Sequence, residues 1–363
     1  MSSPLKLMIV DDTLTYRMIL KNVIADIPAT VVVTTANDGV EALEKLKTNA
    51  IDLVLLDVEM PRMDGIATLR EIRRLYPRIG VVMVSGINLS SVEVTIKALE
   101  AGALDFVRKP DSSDISVNTT KLRDKLSPIF KCFVANQQRS SYSPNTRPPA
   151  LTPPSLLQQP RRSNPPTRID VVAIGVSTGG PKALHEVIPK LPGNLGVPIL
   201  VVQHMPPVFT ASLADSLNKI SSLTVKEAEE GEPALPNTVY IAPGGKHMHI
   251  FNHMDRANKP TPHIAYSMEP PENSCRPAVD VLFRSIGPVY GPRVLAIIMT
   301  GMGYDGKLGV AELKKTGCYC LSQTESSCVV YGMPRAVDEA HLSDENVELG
   351  TMADRITSLI LKR

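Results

Sequence analysis

No stretch of this 363-residue chain approaches the ~20 consecutive apolar residues of a membrane-spanning helix, so the sequence offers no segment for direct membrane insertion. It also lacks a dominant charge. The 39 Lys and Arg stand against 37 Asp and Glu, a net +2, which argues against a nucleic-acid binder and against a basic membrane-surface protein. Cysteine is scarce: five residues, an odd number, without framework spacing. Cys318 and Cys320 form a C-x-C. Two neighbours on a strand do not complete a four-ligand site, and no second pair follows, so a zinc ribbon is not expected. Free buried thiols fit a reducing cytoplasm, and a cytoplasmic location is the expectation. The opening MSSPLKLMIVDD has no basic n-region and no small-residue cleavage site, so no signal peptide is read there.

What the chain does contain is alternation. LKLMIV, TVVVTTA, IDLVLLDV, IGVVMVS and ALDFV are five short apolar, β-branched runs before residue 110. Amphipathic stretches such as DGVEALEKLK and GIATLREIRRLY separate them. Five strands joined by crossover helices predict a parallel sheet covered on both faces, a flavodoxin-like (βα)5 domain over residues 1–133. Residues 134–168 differ in kind. From Asn136 onward they hold eight prolines, five arginines and no acid. Such a segment cannot bury a core, and it reads as a Pro/Arg-rich linker. From residue 169 alternation resumes with IDVVAIG, VPILVVQ and RVLAIIMT, while TVYIAPG, HMHIF and HIAYS form a more β-like section. The expectation for 169–363 is a second α/β domain, Rossmann-like, with a parallel sheet and an antiparallel section.

In the first domain Asp11 and Asp12 close the first strand run, Asp57 the third and Ser85 the fourth, while Lys109 and Pro110 follow the fifth. Open parallel sheets bind ligands outside the carboxyl ends of their strands, so these residues converge on one crevice. Three carboxylates there repel one another unless a divalent cation joins them, and oxygen ligands suit Mg²⁺. A lysine and a hydroxyl opposite complete a site for a small phosphoryl group. A lone strand-end aspartate is usually a helix N-cap; the five-residue constellation is not. With MIVDD, LLDVEMPRMDG, VSG and DFVRKP, residues 5–130 resemble the receiver domain of bacterial response regulators. That resemblance implies phosphorylation of Asp57 by a partner histidine kinase. It implies Mg²⁺ held by Asp11, Asp12, Asp57 and the backbone just after it. Ser85 and Lys109 would contact the phosphoryl oxygens, and Phe106 sits at the aromatic switch position.

The second domain turns on GVSTGG, Gly175 to Gly180, between a strand run and a helical pattern. As a dinucleotide cradle it fails, because Ser177 occupies the second glycine position. As a P-loop it fails, because Pro181 replaces the lysine. As a G-x-S-x-G elbow it fits, lifting a serine hydroxyl above the strand ends beside a helix N-terminus. A serine nucleophile needs a base and an orienting acid. His204 ends the next strong strand run, and Asp305 follows the third. The order Ser–His–Asp differs from that of α/β-hydrolases. Backbone N–H groups around Thr178–Gly180 and at the Met302–Gly303 turn are candidate oxyanion donors.

GVSTGGP, QHMP, YIAPGGKHM, CRPAVDVLF and MTGMGYDGKLG, over about 169–360, resemble the catalytic domain of the chemotaxis protein-glutamate methylesterases. The resemblance implies Ser177 as nucleophile, His204 as base and Asp305 as its orienting partner, with Thr178 and the Met302 backbone supporting the oxyanion. It places Arg276 in a block near the site, as a substrate or loop contact. The esterase itself needs no cofactor. It further implies a phosphorylation-activated enzyme acting on methyl-accepting chemoreceptors, with glutamine deamidation as a second activity. On a strand His247 and His249 of HMHIFNH share a face that His263 could join as a metal site, but alternate histidines on exposed strands are common and no acid or cysteine accompanies them. A non-catalytic output domain is the rival class, and no basic recognition helix supports a DNA-binding version. A monomer is the default.

Overall fold

A computed structural model of the chain describes residues 4–86, 89–109, 115–140 and 165–361, which form two compact units. The first carries β1 (Leu5–Val10), α1 (Leu14–Ala25), β2 (Thr30–Ala36), α2 (Gly39–Leu46), β3 (Leu53–Asp57), α3 (Gly65–Leu75), β4 (Gly80–Ser85), α4 (Leu89–Glu100), β5 (Asp105–Arg108) and α5 (Ile115–Ser140). The sheet order is β2-β1-β3-β4-β5, parallel throughout. This is the flavodoxin-like order, whose switch point lies between β1 and β3. β3 and β4 are buried along their whole length, as expected of central strands covered on both faces. β2 alternates between half-buried and exposed positions over Thr30–Val33 and is buried only at Ala36, the pattern of an edge strand. Asp38 and Asp64 cap α2 and α3 by accepting from the N–H groups of Glu41 and Ala67. One boundary differs from the sequence reading: α5 runs through Ser140, so the segment read as linker from residue 134 begins as helix. Its polar residues favour helix well enough, and proline density rises only after Ser143. The linker's Pro-rich part, 141–164, and Pro110 lie outside the described residues.

After α5 the chain continues with β6 (Val171–Val176), α6 (Gly180–Val187), β7 (Ile199–Gln203), α7 (Phe209–Ile220), β8 (Thr224–Glu227), β9 (Thr238–Ile241), β10 (His247–Met254) and β11 (Pro260–Ser267). It ends with α8 (Val279–Tyr290), β12 (Val294–Ile298), α9 (Lys307–Thr316), β13 (Tyr319–Gln323), α10 (Met333–Glu339), β14 (Glu345–Val347) and α11 (Leu349–Leu361). Seven strands form one parallel sheet in the order β14-β13-β12-β6-β7-β9-β8. β10 and β11 pair as a separate antiparallel hairpin. The TVYI run therefore joins the parallel sheet as β9, while HMHIF and HIAYS supply the antiparallel part. β6 is central and fully buried. Its neighbours are β7 on one side and β12 on the other, so chain direction diverges at the carboxyl end of β6. No helix among the described residues is long and apolar enough to cross a membrane.

Candidate functional site

The carboxyl ends of β6, β7 and β12 bring the predicted triad together. Val176 pairs with Gln203 in the parallel register. Ser177 and His204, one residue further on each strand, are therefore neighbours. The backbone confirms it: His204 N donates to Val176 O at 3.2 Å and Gln203 Nε2 donates to Ser177 O at 3.0 Å. Ser177 N donates across to Thr300 O at 3.0 Å, beyond the end of β12. Gly301 lies against the serine. A Cβ added there would fall 2.9 Å from Ser177 Cβ and 2.4 Å from Met333 Sδ, so only glycine lets the chain pass this close. Among the described residues no hydrogen bond engages Ser177 Oγ, nor the Met302 N–H, and no Ser177–His204 hydrogen bond is formed. Catalytic contacts of this kind often tighten only with substrate bound. Thr178 begins the turn that leads into α6.

His204 Nε2 meets Asp305 Oδ2 at 2.7 Å. The Asp305 carboxylate is buried and heavily solvated by donors. Oδ2 also accepts from Val279 N at 2.7 Å. Oδ1 accepts from Asn273 Nδ2 at 2.8 Å, Asp280 N at 3.0 Å and Gly306 N at 3.0 Å. Val279 and Asp280 open α8, whose own N-cap residue, Ala278, supplies no side-chain hydrogen bond. Asp305 is thus a helix cap, but for a helix it does not precede, and the positive end of that helix favours its charge. Burial alone would raise the Asp305 carboxyl. The hydrogen bond and charge of His204 and the N–H groups of Asp280 and Val279 outweigh burial and hold it below the usual range. Burial pulls the His204 imidazole down, but Asp305 and the adjoining Cys275 side chain raise it to about 9.

Sequence reading missed Asn273 and Asp280. The Asn273 Nδ2 that meets Asp305 also donates to Asp280 Oδ2 at 2.9 Å. Asp280 is fully buried; burial and the neighbouring Asp305 charge raise its carboxyl above the usual range despite the Gly309 N–H. The only signal was their place in the ENSCRPAVD block around Arg276. Arg276 itself donates to Met268 O and Glu269 O, both at 3.0 Å, which makes it a clamp on its own loop. The hairpin histidines His247, His249 and His263 do not gather into one ligand set: in the register His247 faces Ser267, His249 faces Ala265 and His263 faces Phe251, while the His263 ring packs on that of His253, 4.9 Å between centroids. His247 is buried, with Nε2 3.2 Å from Pro270 O and Nδ1 accepting from Ala278 N at 3.2 Å, a satisfied core histidine.

In the first unit, Asp11 and Asp12 follow β1, Asp57 ends β3, Ser85 ends β4 and Lys109 follows β5. One oxygen from each of Asp11, Asp12 and Asp57 lies within 4.8 Å of the others. Three hard carboxylates at that spacing fit a divalent cation such as Mg²⁺. Lys109 Nζ lies 2.7 Å from Asp11 Oδ2 and 2.6 Å from Asp57 Oδ2. Lys109 N donates to Ser85 O at 2.7 Å, tying the two residues opposite the acids. Burial raises Asp57 to about 6 in spite of Lys109. Phe106 stands in β5, paired with Met83.

The fold and these two constellations define a class: an acidic pocket on a receiver-type sheet, in one chain with a serine, histidine and aspartate at the strand ends of a parallel-sheet hydrolase. Family models agree. Residues 7–119 match the response regulator receiver domain and residues 172–356 match CheB methylesterase. The chain belongs to the CheB methylesterase family. It is 43% identical to a protein-glutamate methylesterase/protein-glutamine glutaminase of Desulfotalea psychrophila, over 98% of both chains. It is 42% identical to the protein of that name in Symbiobacterium thermophilum, over 98% of this chain and 97% of the other. Among solved structures, the CheB methylesterase catalytic domain of Thermotoga maritima is 39% identical, with a TM-score of 0.50, and covers 53% of this chain and 100% of its own.

Proposed function

We propose that the chain is a phosphorylation-activated serine esterase that hydrolyses glutamate methyl esters on methyl-accepting chemotaxis receptors to glutamate and methanol. The observation that carries this reading is the 2.7 Å His204–Asp305 contact with Ser177 as the strand-end neighbour of His204. Ser177 Oγ attacks the ester carbonyl. Asp305 holds Nε2, so Nδ1 is the nitrogen left to take the serine proton and pass it to departing methanol. Water then attacks the acyl-enzyme, His204 takes its proton and passes it to Ser177 Oγ as the acyl–oxygen bond breaks, and glutamate leaves. The N–H groups of the turn after Ser177, supported by Thr178, and of Met302 are the oxyanion donors in this reading. With a glutamine substrate the same steps release ammonia, which makes deamidation a second activity.

Control lies in a receiver of residues 1–133, joined through 134–168 to a catalytic domain of 169–363. Asp57 accepts a phosphoryl group from a chemotaxis histidine kinase, Ser85 and Lys109 contact its oxygens, and Phe106 relays the change. Asp11, Asp12 and Asp57 would hold Mg²⁺, which when bound offsets the charge of the phosphoryl group. Arg276 acts by holding its loop or by touching substrate. The protein works in the cytoplasm, as a monomer. The test is methanol release from methylated receptor membranes with Mg²⁺ and a small phosphodonor. Release should rise in wild type and not in Asp57→Ala. Stimulation that persists in Asp57→Ala, or is absent from wild type, contradicts the reading.

A further inference from the structure

We propose that Asn273 is a positioning residue of the esterase: its single amide nitrogen, donating to both Asp305 and Asp280, keeps Asp305 ionised and aimed at His204. The inference rests on the Ser177–His204–Asp305 reading. Asp280 Oδ2 and Asp305 Oδ1 receive the two hydrogens of one Nδ2, at 2.9 and 2.8 Å. The two carboxyls adjoin each other in a buried site. Buried carboxyls this close normally share a proton, because both cannot remain charged. The two N–H groups of Asn273 take the place of that proton. Both acids stay carboxylates, and Asp305 Oδ2 remains free to accept from His204 Nε2.

The clamp is fixed at every corner. Asp280 Oδ1 accepts from Gly309 N at 2.6 Å, which ties the first turn of α8 to α9. Glycine is required there, since a Cβ would lie 2.6 Å from Phe283 Cβ. Asn273 and Ser274 take φ of 52° and 62°, a left-handed pair that is costly for most residues but least so for asparagine. That backbone carries the amide inward. The charged and titratable groups around the pair are His204 after β7, Cys275 and Glu272 on the Asn273 loop, Arg284 on α8 and His247 on β10.

Removing the amide leaves the two carboxyls to share a proton instead. The negative charge facing His204 is then partly lost, and its imidazolium is less favoured. The rising limb of kcat/KM against pH should therefore move to lower pH in Asn273→Ala, by about half a unit or more. The value of kcat should fall about ten- to a hundredfold, short of the ~10⁴ lost when the orienting acid itself is replaced. KM should hold. Adding Asp280→Asn removes the opposing charge and restores an amide beside Asp305. The double variant should return the limb toward the wild-type position and recover part of kcat. The assay is methanol release by the full chain from methylated receptor membranes across pH, with melting temperatures recorded for every variant. A uniform loss of kcat with an unmoved limb, or a double variant no better than Asn273→Ala, overturns the proposal. Ser177→Ala separates the two levels: if it retains release, the triad reading fails with this one. If it loses release while the Asn273→Ala limb stays put, only the positioning role fails.

Discussion

Replacing Asp305 by asparagine removes one charge and almost no volume, yet the structure predicts a large effect. The carboxylate accepts five hydrogen bonds, two on Oδ2 and three on Oδ1. An asparagine amide accepts on one side only. With its oxygen toward His204 and Val279, its NH₂ faces three N–H donors. With the opposite rotamer it faces two. Each buried donor left unpaired costs roughly 1–3 kcal/mol, so the variant should lose on the order of 2–6 kcal/mol, a fall in melting temperature of roughly 5–20 °C. Catalysis should suffer more. The imidazole loses the acceptor that fixes its Nε2–H tautomer, and comparable changes cost ~10⁴ in turnover. The partner that raises His204 to about 9 is also gone, so the residual pH limb should move down toward the ordinary ~6.5. Thermal denaturation and methanol-release kinetics across pH measure all three. Retention of kcat within tenfold, with an unchanged melting temperature, would refute the reasoning.

Two further outcomes follow from the same site. In Gly301→Ala the new methyl meets the flexible end of Met333, which can yield, and Ser177 Cβ at 2.9 Å, which cannot without moving the nucleophile; turnover should drop about a hundredfold with a stability loss of only about 1–3 kcal/mol. The stability given by the His204–Asp305 pair should also depend on pH. His204 is raised to about 9 when folded, above its unfolded ~6.5, so its share is complete below that unfolded value and disappears as pH rises through about 9. Asp305 is lowered when folded, so its share is present above the unfolded ~3.9 and disappears as pH falls through the depressed value. The difference in melting temperature between wild type and His204→Gln should therefore be widest between about pH 4 and 6.5, and a difference that grows above pH 9 would contradict this.

Much of the architecture was legible because buried parallel strands are written as continuous β-branched runs. All five strands of the first sheet, and β6, β7, β9 and β12 of the second unit, sit on such runs, while the antiparallel β10 and β11 carry the weaker HMHIF and HIAYS patterns. β8 and β14 are only Thr224–Glu227 and Glu345–Val347, too short to carry a period, and β13 hid behind its C-x-C. The residues at strand ends were legible for a topological reason: a parallel sheet gathers its carboxyl ends on one edge, so Ser177, His204 and Asp305 had to be close. What holds them was not legible. Asp305 reads locally as the start of α9, but it caps α8. Asn273 sits in a loop whose left-handed backbone nothing in ENSC announces, and its partners are seven and thirty-two residues away. Tertiary hydrogen bonds of this kind leave no periodic trace.

The most direct measurement is methanol release from methylated receptor membranes by the full chain and by Ser177→Ala, with Mg²⁺ and a small phosphodonor. The account predicts release by wild type and none above background for Ser177→Ala, with both proteins equally folded. Release that survives in a folded Ser177→Ala would mean that Gly175–Gly180 is a turn and not the nucleophile's seat.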